Sequence, residues 1–525
     1  MSTKTTELPI LRAADLPLYY NAVDILERNL PERAKKVALY TKDRELTFKQ
    51  VSEETNRVGN ALIKLGIGFG DVVGILSLDV PEWVTSYFGS MKIGAVALGM
   101  NTLLTPREYA LILRDSRAKV LIAHEKLLDP IEQVRDEVET LEHVVVIGEA
   151  KRSSDRSFAK WIKRESSKLE TTPTHRDDIA TLMYSSGTTG EPKGVPHAHK
   201  DQPLCAQLWG VNVLGIREDD RTFSIAKLFF AYGIGNNLTF PFYVGASTVL
   251  YPGPPAMVEN VLQLIDEFKP TILYNAPTGY AMILSKEDLT DKYDLSSLRL
   301  CVSAGESLPA PIWEAWKDRT GVDIIDGIGS TEALHIYISN RPDDIRPGSS
   351  GKLVEGYEVK IVDEEGSQVP QGEIGNLLLK GETLALYYLH LFTRSRQTFQ
   401  GEWTFTGDKY SVDQDGYYWH AGRSDDMMKV GGIWVSPVEV ESTLISHEVV
   451  VECAVVQQAD AADLIKPKAY VLLKEGIPGT EELAEELIAY CREKMADYKR
   501  PRWIEFVDEL PKTATGKIQR FKLRD

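Results

Sequence analysis

The sequence predicts an α/β protein: a large N-terminal domain of parallel-rich αβ sheets with a small β-barrel-like subdomain, followed by a small α+β C-terminal domain. Short apolar runs alternate with amphipathic stretches as far as "DIIDGIGSTE", the pattern of strands and helices wrapped into parallel sheets. After about residue 350 the pattern becomes period-two alternation broken by Glu-Gly and Asp-Gly turns, which reads as antiparallel hairpins. The polar, glycine-flanked segment "GRSDDMMKVGG" then precedes a last hundred or so residues with their own helix and strand pattern, and reads as a linker or a hinge. These features divide the chain into residues 1–424 and 425–525, and 525 residues exceed what one core holds.

The elements follow in order. "TFKQVSEETNRVGNALIKLG" opens with Thr47 and Gln50 in capping-box spacing, carries apolar residues at Phe48, Val51, Val58, Leu62 and Leu65, and stops at Gly66, so it is an amphipathic helix. "VVGILS" is a short apolar strand, and Pro81 stands where the next helix starts. "KVLIAH" and "HVVVIG" repeat the strand signal. A Ser/Lys/Glu-rich connector spans residues 149–177. Beyond it come the strands "ASTVLY", "TILYNAP", "LRLCVSAGE" and "DIIDGIGSTE", with the helix "MVENVLQLIDEF" among them. "YEVKIVDEEG", "GEIGNLLLKG" and "KYSVDQDGYYWHAG" are the hairpins. In the final unit "PVEVESTLISH" and "TEELAEELIAYCREKM" are helices, and "VVVECAVVQ", "KAYVLLK" and "WIEFVD" are strands.

Composition excludes several function classes. The net charge of −17, with no basic block, argues against nucleic-acid or membrane-surface binding. The most apolar window, "TFPFYVGASTVLY", is too short and too interrupted to span a bilayer, and the opening residues carry no signal-peptide pattern, so a cytoplasmic location is expected. Cys205, Cys301, Cys453 and Cys491 lie far apart and read as reduced core residues.

The stretch "YSSGTTGEPKGV" carries the chemistry. Glycine-rich runs ending in lysine hold phosphates, but this one fails the Walker pattern, because Glu191 and Pro192 separate Gly190 from Lys193. Ser185, Ser186, Thr188 and Thr189 supply hydroxyls, Gly187 and Gly190 let the backbone approach closely, and Lys193 adds a compact positive charge. That composition suits a mobile polyphosphate clamp or a plain surface loop. The apolar lead-in "IATLMY" argues for a strand feeding it, where α/β folds place ligands.

Taken with "DGIGSTE", "TGD", "GRSDDMMKVGG" and "PKTATGKIQR", in this order and rough spacing, the stretch resembles the acyl-adenylate-forming superfamily of acyl-CoA synthetases, adenylation domains and luciferases. The resemblance covers nearly the whole chain. "SIAKLFFAYGIGN", "DGIGSTEALHI" and "DDMMKVGGIWVSP" look most like benzoate-CoA ligases of aromatic-acid degradation. It implies ATP, Mg²⁺ and coenzyme A as cofactors and co-substrates, a small aromatic carboxylic acid as partner, and a monomer or homodimer.

The same resemblance assigns residues. Thr188, Thr189 and Lys193 hold the leaving phosphates. Ser303 to Glu306 ("SAGE", with Ala304 and Gly305) and Asp326, Gly327 and Ile328 pack on the adenine. Ile328 departs from the tyrosine common in relatives, replacing ring stacking with aliphatic packing. Thr331 contacts the α-phosphate and Glu332 ligates Mg²⁺, a hard cation that favours carboxylates. Asp408 and Arg423 hold the ribose, and Asp425 is the hinge about which a mobile C-terminal domain turns. Lys517 bridges the substrate carboxylate and the α-phosphate, Lys429 joins the catalytic set and Gly431 the cofactor-binding set.

For the acyl pocket, "KLFFAYG" puts Phe230 where many relatives keep a gating histidine. Ala231, Tyr232 and Gly233 line the cavity, and Gly329, His335 and Ile336 close it. Glycine and alanine beside aromatics leave a short, flat, apolar space. Core packing is the other reading of Phe230 and Tyr232. His197 and His199 in "HAH" have no carboxylate or cysteine partner nearby in sequence and read as structural. A carrier-protein-loading adenylation enzyme and a nucleotide sensor remain alternatives, although Glu332 and Lys517 together argue against the sensor.

Overall fold

A computed structural model describes residues 12–186, 192–254, 257–286, 288–430, 433–460, 464–512 and 518–524. It is a mixed α/β protein with parallel-rich sheets and a smaller C-terminal domain. Among the described residues, the first large sheet runs in the order Arg156–Ser157, His143–Ile147, Val120–His124, Val72–Leu76, Val96–Gly99, Ile179–Ser186 and Pro192–Ala198. All its neighbours are parallel except the last pair. The second centres on the parallel strands Ser247–Val249, Arg221–Ser224, Ile272–Asn275, Leu300–Ser303 and Ile324–Gly329, with Ile336–Ser339 turning back antiparallel to Ile324–Gly329.

The helix Phe48–Lys64 forms as its sequence dictates. Thr47 accepts from the Gln50 backbone amide, Gln50 caps the Thr47 amide in return, and Gly66 leaves the helix with φ +81°. Its apolar stripe of Phe48, Val51, Val58 and Leu62 is buried. The following helix, Pro81–Lys92, starts on its proline and crosses the first so closely that a Cβ on Gly89 would lie 2.9 Å from Val58. The 149–177 connector is not a free tether. It contributes the edge strand Arg156–Ser157 and the helix Phe158–Ile162, and its carbonyls at Glu165, Ser166 and Ser167 accept from Arg57, Asn60 and Asn56. Polar composition hid this, because the few apolar side chains that dock the segment, Phe158, Trp161, Ile162 and Leu169, are scattered among polar residues, and backbone carbonyls supply the rest of the contacts.

The expected hairpins form an antiparallel sheet of Tyr357–Val362, Gly375–Gly381, Trp403–Val412, Phe399–Gln400 and Tyr418–Arg423. The C-terminal unit packs the helices Pro437–Ile445 and Glu481–Lys494 on the strands Val450–Ala459, Ile465–Leu473 and Trp503–Phe506. All four cysteines are buried and free. Among the described residues no helix is long and apolar enough to cross a membrane.

Candidate active site

The site lies where the C-terminal ends of the parallel strands meet the antiparallel sheet, the usual ligand position in open α/β sheets. Strand Ile179–Ser186 delivers the phosphate-loop sequence, and strand Pro192–Ala198 carries it back. Gly187, Thr188, Thr189 and Gly190 lie outside the described residues, as do Gly431 and Lys517. Ser185 does not, and its buried hydroxyl has no hydrogen-bond partner among the described residues, a donor left over for a ligand.

Lys193 leads to a partly buried charge cluster. Its Nζ lies 3.4 Å from Glu332 Oε1 and 3.2 Å from the Tyr388 hydroxyl, over whose ring it sits at 4.3 Å. Tyr388 in turn donates to Glu332 Oε1 at 2.7 Å. Burial pushes the Glu332 carboxyl up, but the Lys193 charge and the Tyr388 hydrogen bond outweigh it and hold the group below the usual carboxylate range. Burial lowers the Lys193 ammonium, opposed by Glu332. Glu332 is therefore an ionised, largely buried carboxylate, which fits a hard cation. Among the described residues no group of three or more His, Cys, Asp or Glu could hold a metal ion.

Thr331, one residue earlier, is fixed from behind. His197, fully buried, donates from Nε2 to the Thr331 carbonyl at 2.7 Å, and its Nδ1 faces Asp201 Oδ2 at 3.0 Å. His199 accepts from the Ala22 amide at 3.0 Å. His197 does have a carboxylate partner nearby in sequence, Asp201 four residues on, contrary to the reading of the sequence alone; both histidines of "HAH" are structural, and His197 touches the site through Thr331.

The adenine-side segments sit on adjacent strands in register, Ser303 opposite Asp326. Gly305 needs its glycine, with φ +100°. The Ser303 hydroxyl and Asp326 Oδ1 are buried with no hydrogen-bond partner among the described residues, and burial raises the Asp326 carboxyl to about 8. Asp408 and Arg423 face each other across strands, with Arg423 Nη1 3.3 Å from Asp408 Oδ1. His420, which sequence reasoning missed, lies 3.5 Å from Asp408 and holds Ser307 Oγ at 2.7 Å, joining the "SAGE" segment to this strand pair. Tyr388 was missed too, and a tyrosine in "LALYYLHLF" gives no local sign of a partner 56 residues away.

At the acyl end Phe230 precedes the helical turn Ala231–Ile234, which continues into a π-helical turn, Gly235–Thr239. Phe230, Ala231 and Tyr232 are partly buried. Gly233 presses on backbone, since a Cβ there would meet the Lys227 carbonyl at 2.0 Å. His335 packs between Trp209 (5.0 Å between ring centroids), Phe240 (4.5 Å) and Tyr232 (5.6 Å), and donates from Nε2 to Asn236 Oδ1 at 3.2 Å. Burial lowers its pKa to about 3, so the ring is neutral. A Cβ on Gly329 would meet the His335 carbonyl at 2.5 Å. Leu334 takes φ +67°, a strained backbone costing about 1–3 kcal/mol that reverses the chain just before His335. Ile336 is fully buried in the main core.

Lys429 stands exposed on Met428–Val430 within the C-terminal domain, opposite Trp434. Around Asp425, Ser424 is held to the antiparallel sheet by its amide on the Gly407 carbonyl and its hydroxyl on Asn376. Asp426 pairs instead with Arg520 and Arg524 of the C-terminal domain.

This fold, with the Lys193 ammonium and the Tyr388 hydroxyl on an ionised Glu332 at the ends of the parallel strands, suits an enzyme that handles a nucleotide. A family model described as AMP-binding enzyme matches residues 26–389, and the AMP-binding enzyme C-terminal domain matches residues 439–517. The chain is 46% identical over 519 residues to a benzoate–CoA ligase of Thauera aromatica, covering 98% of this chain and 97% of that one. Among solved structures it is similar to an anthranilate CoA ligase (AuaEII) in complex with anthranoyl-AMP, at TM-score 0.95, 66% identity and 98% coverage of both chains. It is also similar to a benzoate CoA ligase from Burkholderia xenovorans LB400, at TM-score 0.90 and 40% identity, covering 96% of this chain and 100% of that one. The chain belongs to the AMP-binding enzyme family and is an AMP-forming acid–thiol ligase.

Proposed function

We propose that the chain activates a benzoic acid with ATP and passes the acyl group to coenzyme A: benzoate + ATP + CoA gives benzoyl-CoA + AMP + pyrophosphate. A carboxylate is a poor electrophile, so its oxygen attacks the α-phosphate, pyrophosphate leaves, and the CoA thiol then displaces AMP. Both steps concentrate negative charge, so cations and directed donors supply most of the acceleration. In this reading Lys193 and the Ser185–Gly190 loop hold the departing phosphates, Thr331 contacts the α-phosphate, and Asp408 and Arg423 hold the ribose. Lys517 bridges the attacking carboxylate and the α-phosphate. Glu332 would hold Mg²⁺, which when bound neutralises phosphate charge. A cytoplasmic location and a role in aromatic-acid degradation belong to the same proposal.

The observation that supports the reading is the packing of His335, three residues after the ionised Glu332, against the Tyr232 ring, with Gly329 pressed on the His335 carbonyl. A second reading has specific support: the 66% identical structure is that of an anthranilate CoA ligase, so 2-aminobenzoate is the alternative acid. A panel of benzoate, 2-aminobenzoate, fluorobenzoate and octanoate, with ATP and free CoA, separates these by pyrophosphate release and acyl-CoA formation. Benzoate with the highest kcat/KM supports the first reading, and 2-aminobenzoate the second. Octanoate leading, or release without any acyl-CoA, overturns both. Because a fitted methyl is worth only about 1–3 kcal/mol, small ring changes are tolerated. Ala231→Leu is expected to depress benzoate turnover through both KM and kcat, with the KM for ATP unchanged.

A further inference from the structure

The segment that carries Lys517 is bounded by Lys512 and Ile518, and both flanks are tied to one polar chain that crosses between the domains. The Ile518 amide donates to Glu306 Oε1 at 2.9 Å, joining the C-terminal domain to the "SAGE" segment. Lys512 Nζ pairs with Glu452 Oε2 at 2.7 Å. Between the two carboxylates stands Thr278, whose hydroxyl lies 3.3 Å from Glu306 Oε2 and 3.2 Å from Glu452 Oε1. Thr278 is on helix Pro277–Leu284 of the large domain, which packs on strand Val450–Ala459 of the small one.

The arrangement needs an explanation, because two carboxylates converge on one hydroxyl that has a single proton to give. Alone they would repel across an interface that shields them from water, Glu452 being buried. The Lys512 ammonium and the Ile518 amide compensate one carboxylate each, and both belong to the flanks of the Lys517 segment. The Ile518 amide is thus one of the contacts from the C-terminal domain that hold Glu306, beside the Arg520 charge that also acts on it. Glu306 and Thr278 belong to one domain, and Glu452, Lys512 and Ile518 to the other. A rotation about Asp425 would part the two sets at Thr278 and at Ile518, leaving the Lys512–Glu452 pair intact within the small domain.

We infer that Thr278 and Glu452 are positioning residues that latch the flanks of the Lys517 segment to the adenine-side wall, favouring the orientation for acyl-AMP formation over that for thioester formation. The inference rests on the two-step reaction proposed above, and one arm of its test needs no turnover.

Thr278→Val keeps the volume and removes the hydroxyl. In the ligand-free protein, hydrogen exchange at the Ile518 amide, read by NMR or from overlapping peptides that begin before residue 516, is expected to speed up about fivefold, the size of one net hydrogen bond. In single-turnover assays pyrophosphate release is expected to slow about fivefold, while acyl-CoA formation from supplied benzoyl-AMP stays within about twofold of wild type. Thr278→Ser, which restores the hydroxyl, should recover both. Glu452→Gln should act in the same direction and serves if the valine variant does not fold. Unchanged exchange at Ile518 overturns the latch, as does equal slowing of both half-reactions or a serine variant as slow as the valine. If wild type activates no aryl acid, the reaction assigned above has failed, and the exchange measurement still decides the latch.

Discussion

Glu332 keeps its negative charge where burial opposes it, and the two groups responsible are on different elements, Lys193 on a strand and Tyr388 on a loop. Since its folded pKa is depressed, the stability it contributes is present above the unfolded value of 4.5 and is lost as pH falls through the lower folded value. A hydrogen bond to a charged group contributes about 1.5–3 kcal/mol, so Tyr388→Phe, which keeps the ring beneath Lys193, is expected to slow pyrophosphate release about tenfold. The KM for the aryl acid should not move, and a raised KM would place Tyr388 in the acyl pocket instead. Lys517→Ala is expected to lower acyl-AMP formation about 10²- to 10³-fold while sparing thioester formation from supplied benzoyl-AMP. Equal loss in both half-reactions would contradict that division. At this scale the sequence displayed residue types better than partnerships. Lys193 and Glu332 stand out in their motifs, whereas Tyr388, His197 and His420 act through contacts 56 to 134 residues away and have no local signature.

Elements with their own start and stop signals were legible, such as Phe48–Lys64 with its capping box and the strands rich in Val and Ile. The strand Pro192–Ala198 was not, because "PKGVPHA" holds two prolines and a glycine and owes its extension to pairing with Ile179–Ser186. From composition alone the connection at Asp425 was legible as a linker or a hinge, and only the family resemblance singled out Asp425. Its meaning comes from where the contacts change allegiance: Ser424 bonds to Gly407 and Asn376, and Asp426 to Arg520 and Arg524. Asp425→Pro fixes φ near −65° and restricts the residue before it, so one orientation should be trapped. The expected outcome is near-normal pyrophosphate release in the first turnover with thioester formation slowed about tenfold or more, as for gated enzymes. Steady-state acyl-CoA production at the wild-type rate would show that no turning occurs here.

For the whole molecule, buried titratable groups pull stability in opposite directions. His199 and His335 are lowered by burial from 6.5 to about 3, so each penalises the fold as pH falls from 6.5 towards 3. Asp326 and Asp79, raised by burial to about 8 and about 6, favour the fold as pH falls through those values. Because groups of both signs contribute, a comparison of variants is more telling than the wild-type curve. His199→Asn removes one penalty, and between pH 6 and 4 its unfolding free energy by urea denaturation should fall less steeply than wild type by about 1.4 kcal/mol per pH unit. Parallel curves would mean that His199 is charged in the native state. The strand Pro192–Ala198 also has a consequence for engineering. Lys193 and His197 are four residues apart on one face of it, so a single strand spaces the ammonium that meets Glu332 from the ring that meets the Thr331 carbonyl. Changing the length of the glycine-rich connection ahead of it leaves that ruler intact. Inserting or deleting one residue between Lys193 and His197 turns one of them to the opposite face, so chimeras with relatives should place their crossovers outside Lys193–His197.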